Sequence, residues 1–172
     1  MAPGKAVAEQ TSELIDKVHH EHAHMRRLFD DLASSFEAIA AGEYGESEQK
    51  RVVEAAAEDL EVALEEMLHH FDQEEEIFFV DIEERFPHLK SKVNGLVEAH
   101  EEMSQRTRWL QEQLSQESVK MVRNLEVIVD VLGSMAQLVD RHTQEETQLF
   151  QEVLDEMPQD EQQALLNRMQ QI

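Results

Sequence analysis

No cysteine occurs anywhere in the chain. This removes disulfides, iron–sulfur clusters, thiolate zinc sites and cysteine nucleophiles, so any metal must be held by nitrogen and oxygen. Basic residues are also scarce, 15 against 38 acidic ones, which leaves a net charge of −23. Such a surface repels nucleic-acid phosphate and anionic lipid, so the expected partner is a cation or a small molecule, with neither nucleic acid nor membrane involved. No segment approaches the roughly 18 uninterrupted apolar residues of a membrane span. Met1 to Gln10 lacks the apolar run of a signal peptide, and the expectation is a cytoplasmic protein. Glycine (5), proline (3) and aromatics (5%) are few. The abundant Glu, Gln, Leu, Ala and Met favour helix throughout, and no strand-like alternation stands out.

What is present is helical periodicity. The chain's 172 residues fit one domain with a substantial core. Apolar residues recur at spacings of three and four in four successive stretches. The first helix is expected from about Thr11 to Ala41, ending at Gly42. The second runs from near Ser47 to Arg85 and stops at Phe86-Pro87. A third covers Leu89 to Leu114, and a fourth starts near Ser118, a candidate N-cap, and reaches Glu156. Pro158 then begins a short amphipathic helix through Met169. The expected organisation is a flexible N-terminus over residues 1–10, a bundle over 11–157 and a short C-terminal helix within 158–172. Short connections make neighbouring helices antiparallel, so the fold class is all-α, an up-down-up-down four-helix bundle.

Polar residues interrupt the apolar stripes in a pattern. The first stripe reads Ile15, Val18, His22, Met25, Phe29, Leu32, Phe36. The second reads Val53, Ala56, Leu60, Ala63, Met67, His70, Glu74, Ile77. The third is Leu89, Val93, Leu96, His100, Met103, Leu110, Leu114, and the fourth is Leu132, Met135, Val139, His142, Glu146, Leu149, Val153. Every helix thus puts a histidine on its buried face, and two add a glutamate four residues on, where the side chains share that face. Apart from this shared insertion no internal repeat is evident. Counted from the turn at Pro87, Glu74 and His100 each lie about eleven residues away, in one layer roughly 17 Å from the turn. His22 and His70 match acceptably across the first turn. His100 and His142 match worst, and a loop or helix overhang must absorb the difference.

A lone core histidine is usually a satisfied polar group, and a glutamate usually faces water. Here both carboxylates fall on apolar stripes, where an unpaired charge costs several kcal/mol. No lysine or arginine lies on a stripe near this layer, whereas two divalent or trivalent cations would neutralise the carboxylates and use the imidazole lone pairs. His20, His24 and His69 fall off the stripes, His88 is expected to be exposed, and His19, one turn before His22, is the reserve ligand. Met25, Met67 and Met103 read as gap-filling core, because thioethers are poor partners for hard cations.

The helix-one histidine, the His-Phe-x-x-Glu-Glu run at His70 to Glu75, the single helix-three histidine and the His-x-x-x-Glu at His142 to Glu146 resemble the hemerythrin-like HHE cation-binding family. The text from Glu21-His22 to Met25-Arg26-Arg27-Leu28 agrees with it. The resemblance covers about residues 11 to 157. It implies an antiparallel four-helix bundle with a carboxylate-bridged di-iron site completed by an oxo or hydroxo bridge. His22, His70, His100 and His142 would be terminal ligands, and Glu74 and Glu146 would bridge the irons. The oxygen-carrying hemerythrins of invertebrates have a second helix-three histidine four residues away, where this chain has Leu96 and Ser104. They also use a longer His-to-Asp spacing in the last helix. One imidazole fewer leaves an iron more open and argues against reversible oxygen carriage. Two ferrous ions with two carboxylates leave about +2 in a low-dielectric core, an attraction for small anions. The expected role is therefore a non-haem di-iron protein that binds or reacts with dioxygen or peroxide, with a catalase-like activity in view. The alternatives are a nitric oxide or oxygen sensor or carrier without turnover, and a metal-free interaction bundle.

Overall fold

The computed structural model describes residues 3–115 and 123–169. Among these the chain is helical, with no strand. α1 spans Pro3–Ala40 and α2 Glu46–Gln73. A π-helical turn, Glu74–Phe79, carries α2 into α3, Val80–Arg85. A 3-10 turn at Pro87–Leu89 leads to α4, Lys90–Leu114, followed by α5, Leu125–Glu156, and α6, Gln159–Met169. None of these helices is long and apolar enough to cross a membrane.

Local chemistry accounts for the boundaries. α1 starts at Pro3, earlier than Thr11, so the helix runs through the boundary expected near residue 11. Proline suits the first helical position, and Ala6 to Gln10 contain no breaker. α1 ends in a Schellman motif: Glu43 N–H donates to Ala38 O (3.0 Å) and Gly42 N–H to Ile39 O (3.0 Å). Gly42 sits at φ +73°, a left-handed position that favours glycine. Phe86, just before Pro87, is driven out of the helical region to φ −126°, ψ 69°, and α3 stops there. Ser118, the candidate N-cap of the fourth helix, lies outside the described residues, as do the side chains of Ile15 and Val18.

Cross-helix contacts set the register. His19–Thr147, His22–Thr143 and Arg26–Asp140 run in opposite chain directions along α1 and α5. Lys92–Glu152, His100–His142 and Arg106–Ser134 do so for α4 and α5. Lys90–Glu83 and His100–Glu75 do so for α4 against the α2–α3 strand of helix. α1 packs chiefly on α5, and α4 on both α5 and α2, whereas α1 and α2 meet sparingly.

The core falls into two apolar clusters. Phe29, Phe36, Leu60, Met67, Met103, Leu110, Leu132 and Met135 form one. Phe78, Phe79, Ile82, Leu89, Val93, Leu96, Leu149, Phe150 and Val153 form the other, which α6 closes with Leu165. Arg85–Glu161 (2.6 Å) and Arg168–Asp81 (3.1 Å) hold α6 in place. Most described apolar residues of the stripes are buried, while Met25 and Val53 are half-buried, and one position needs a correction. Ile77 is only half-buried, and Phe78 and Phe79 take the inward position instead. A π turn adds about one residue to the helical repeat and so rotates everything after Glu74.

Candidate metal centre

Between the two clusters lies a polar layer. All six residues singled out by pattern are in it: His22 from α1, His70 and Glu74 from α2 and the π turn, His100 from α4, and His142 and Glu146 from α5. They form three overlapping groups whose donor atoms lie within 4.8 Å of one another: His22, His70 and Glu74; Glu74, His100 and His142; His22, His142 and Glu146. Imidazoles face each other in two pairs. His22 Nε2 is 3.0 Å from His70 Nε2, and His100 Nε2 is 3.2 Å from His142 Nε2. Glu74 straddles the pairs, with Oε1 2.9 Å from His70 Nε2 and Oε2 3.2 Å from His100 Nε2. Glu146 Oε2 is 3.5 Å from His22 Nδ1 and 3.7 Å from His142 Nε2, again one histidine of each pair.

Three residues that the stripes did not single out orient these rings. Glu21 Oε2 lies 3.0 Å from His70 Nδ1, and Glu75 Oε1 lies 2.7 Å from His100 Nδ1. Thr143 Oγ1 lies 3.0 Å from His22 Nδ1. Because that hydroxyl donates to Val139 O (2.8 Å), it can only accept from His22. His70 and His100 therefore set Nδ1 against an outer carboxylate and turn Nε2 inward, the arrangement by which a histidine is readied for a cation, whereas His22 Nδ1 faces both Thr143 and Glu146. Phe71 adds a stacking contact on His100, with centroids 3.8 Å apart at 8°. A glutamate next to a singled-out residue, His22 for Glu21 and Glu74 for Glu75, was the available signal for these two. Thr143 had none, because its partner is on another helix. The π turn begins at Glu74 itself, and Glu74 and Glu75 reach the two nitrogens of the one His100 ring.

The chemistry of the layer fits a cation. Although imidazole nitrogens approach both carboxylates, all four oxygens of Glu74 and Glu146 are buried without a hydrogen bond of acceptable geometry, as is His142 Nδ1. Buried polar atoms are rarely left so. No lysine or arginine forms an ion pair with either carboxylate among the described residues. Protons make up part of the deficit. His70 is raised to about 9, because pairing with Glu21 and Glu74 outweighs burial. Burial, together with the charge of Glu74, pushes Glu146 well above the usual carboxylate range. The imidazoles of His100 and His70 overcome burial at Glu74 and hold it well below that range. Burial lowers His22 to about 4 and His142 to about 3, so both are neutral.

The remaining histidines stay outside it. His19 Nε2 is engaged by Thr147 Oγ1 at 2.8 Å and joins none of the donor groups. His20, His24 and His69 are exposed, and so is His88, which pairs with Glu156 at 3.1 Å. Met67 and Met103 are fully buried in the apolar cluster beside the layer.

A helical protein with a buried layer of imidazoles and carboxylates belongs to the class of cation-site scaffolds. Comparison with known families is specific: the hemerythrin HHE cation binding domain matches residues 13–154, and the chain belongs to that family. No curated protein and no solved structure gives a match.

Proposed function

We propose that the chain is a non-haem di-iron protein, with His22, His70, His100 and His142 as terminal ligands and Glu74 and Glu146 as bridges. The observation that carries this is the double straddle. Each carboxylate touches one imidazole from each facing pair, and the three donor groups overlap through shared members. One cation per imidazole pair uses every donor, whereas a single tetrahedral ion would leave donors over. The antiparallel registers support an up-down-up-down bundle around it. When bound, the iron pair supplies redox chemistry toward dioxygen or peroxide.

The protein's part is to hold and tune the donors. Glu21 and Glu75 accept from the outer nitrogens of His70 and His100 and raise their basicity as ligands. Met67, Met103, Leu149 and Phe71 exclude water around the layer. Position 104, one turn from His100, carries a serine whose hydroxyl donates to His100 O (2.8 Å), so α4 contributes one imidazole. This supports an open iron that reacts with oxygen or peroxide over one that carries oxygen reversibly.

Iron-replete expression should give two irons per chain, and Glu74→Ala and Glu146→Ala should each lose at least one. One zinc per chain, or no metal, would sink the reading. Reduced protein mixed with oxygen should convert to a stable diferric form and consume peroxide faster than free iron at equal concentration. A long-lived adduct that releases oxygen under vacuum, without peroxide turnover, would make it a carrier.

A further inference from the structure

Five of the six candidate ligands are buried, and only His70, with 15% of its side chain exposed, reaches solvent. It does so where α1 and α2 part. A cavity of about 780 Å³ opens there, with His70 and Glu74 in its wall and Met67, Phe78 and Phe150 as its apolar floor. A buried metal centre needs a way in. The exposed part of the lining is Asp59, Glu66, His20, His24 and His69 together with Val62, and no lysine or arginine lines the cavity.

We propose that this cavity is the entry route to the centre and that its mouth is a transient capture site for a hydrated divalent cation, ferrous iron on the reading above, on which this inference rests. Three observations support it, and the first is independent of the acidic rim. Glu74, buried and with neither oxygen in a hydrogen bond of acceptable geometry, lines the cavity, so a carboxylate stands at the end of the path with only imidazoles beside it. Asp59 and Glu66 have no ion-pair partner among the described residues, which leaves their charge directed at solvent. Finally, no three donors at the mouth lie within 4.8 Å of one another; among the described residues only the central groups do. The rim therefore holds an ion through its water shell and passes it on. A tight site there would trap it. Hydrated cations are reluctant to shed water until stronger ligands replace it, and the inward imidazoles and Glu74 are those ligands.

The test is the rate of anaerobic ferrous uptake by metal-free full-length protein at low salt, with unbound iron read by a chromophoric chelator. Asp59→Asn combined with Glu66→Gln should slow uptake about tenfold, within the range of electrostatic steering, while iron per chain at completion stays at the wild-type value. Added salt should slow the wild type and leave the double variant nearly unchanged. Val62 lines the same cavity with 56% exposure, so its substitution leaves the core intact. Val62→Arg should slow uptake and Val62→Glu should not. Wild-type protein that loads fully while all these variants load equally fast overturns the entry route alone. Wild-type protein that takes up no iron overturns the di-iron reading, and the route with it.

Discussion

Glu21→Gln separates the proton held by the layer from the donors that would bind a cation. Glu21 is outside the three donor groups, yet its carboxylate pairs with His70 Nδ1 and helps hold that imidazole protonated. A rise from 6.5 to about 9 corresponds to roughly 3 kcal/mol in favour of the imidazolium. Burial opposes this rise and the hydrogen bonds to Glu21 and Glu74 produce it; Glu21, with 42% of its side chain exposed, is screened by water, which discounts its part to about 1 kcal/mol. Because the folded value is raised, the stability it contributes is fully present below pH 6.5 and lost as pH rises through about 9. Metal-free protein should therefore lose stability across that window. In Glu21→Gln the loss should be smaller by about 1 kcal/mol. Cation binding at pH 7 must expel the His70 proton, so the variant should also release fewer protons on loading above pH 7. Denaturant melts from pH 6 to 9.5, and calorimetric titrations in buffers of different ionisation enthalpy, measure both effects. Parallel stability curves for variant and wild type, with equal proton release, would refute the assignment of the proton to His70.

Three further outcomes are expected. Chelating the metal should lower the melting temperature by roughly 10 °C, since a ligand at a thousandfold its Kd adds about 4 kcal/mol; an unchanged melt contradicts a cation in the core. Phe71→Ala should cost about 3–5 kcal/mol in chemical denaturation, and should weaken iron retention by freeing the His100 ring, so a loss under 1 kcal/mol would show that the stack matters little. Gly42→Ala should cost roughly 1 kcal/mol with metal content unchanged, because the left-handed position penalises a Cβ; equal melting curves would exclude that strain.

The histidine and glutamate positions were legible because helical periodicity makes a polar residue on an apolar stripe a contradiction. His22, His100, His142, Glu74 and Glu146 are all buried, as that contradiction demands. Gly42 and Pro87 were legible for a different reason, since both carry their backbone preference in the residue itself. What pattern could not reveal was the π turn at Glu74–Phe79, which is a change of repeat within an unbroken run of helix formers. Ile77 was misplaced on that account. Thr143 and Phe71 were missed because what matters is the cross-chain neighbour: His22 for one, His100 for the other. The poor count between His100 and His142 was made from Ser118, which lies outside the described residues; counted from Leu125, where α5 begins, the two distances are closer.

The polar layer also divides the protein mechanically. Among the described residues, α4, α5 and the run from α2 into α3 pass from one apolar cluster to the other through a level of imidazole and carboxylate in place of hydrocarbon. Without a cation, that level would be the natural seam along which the two ends loosen as separate units. A cation held as proposed, by donors from four helices, would act there as a rivet, joining two short bundles into one cooperative body. Occupancy of the centre would then be felt at both ends of the molecule, far from any ligand it binds.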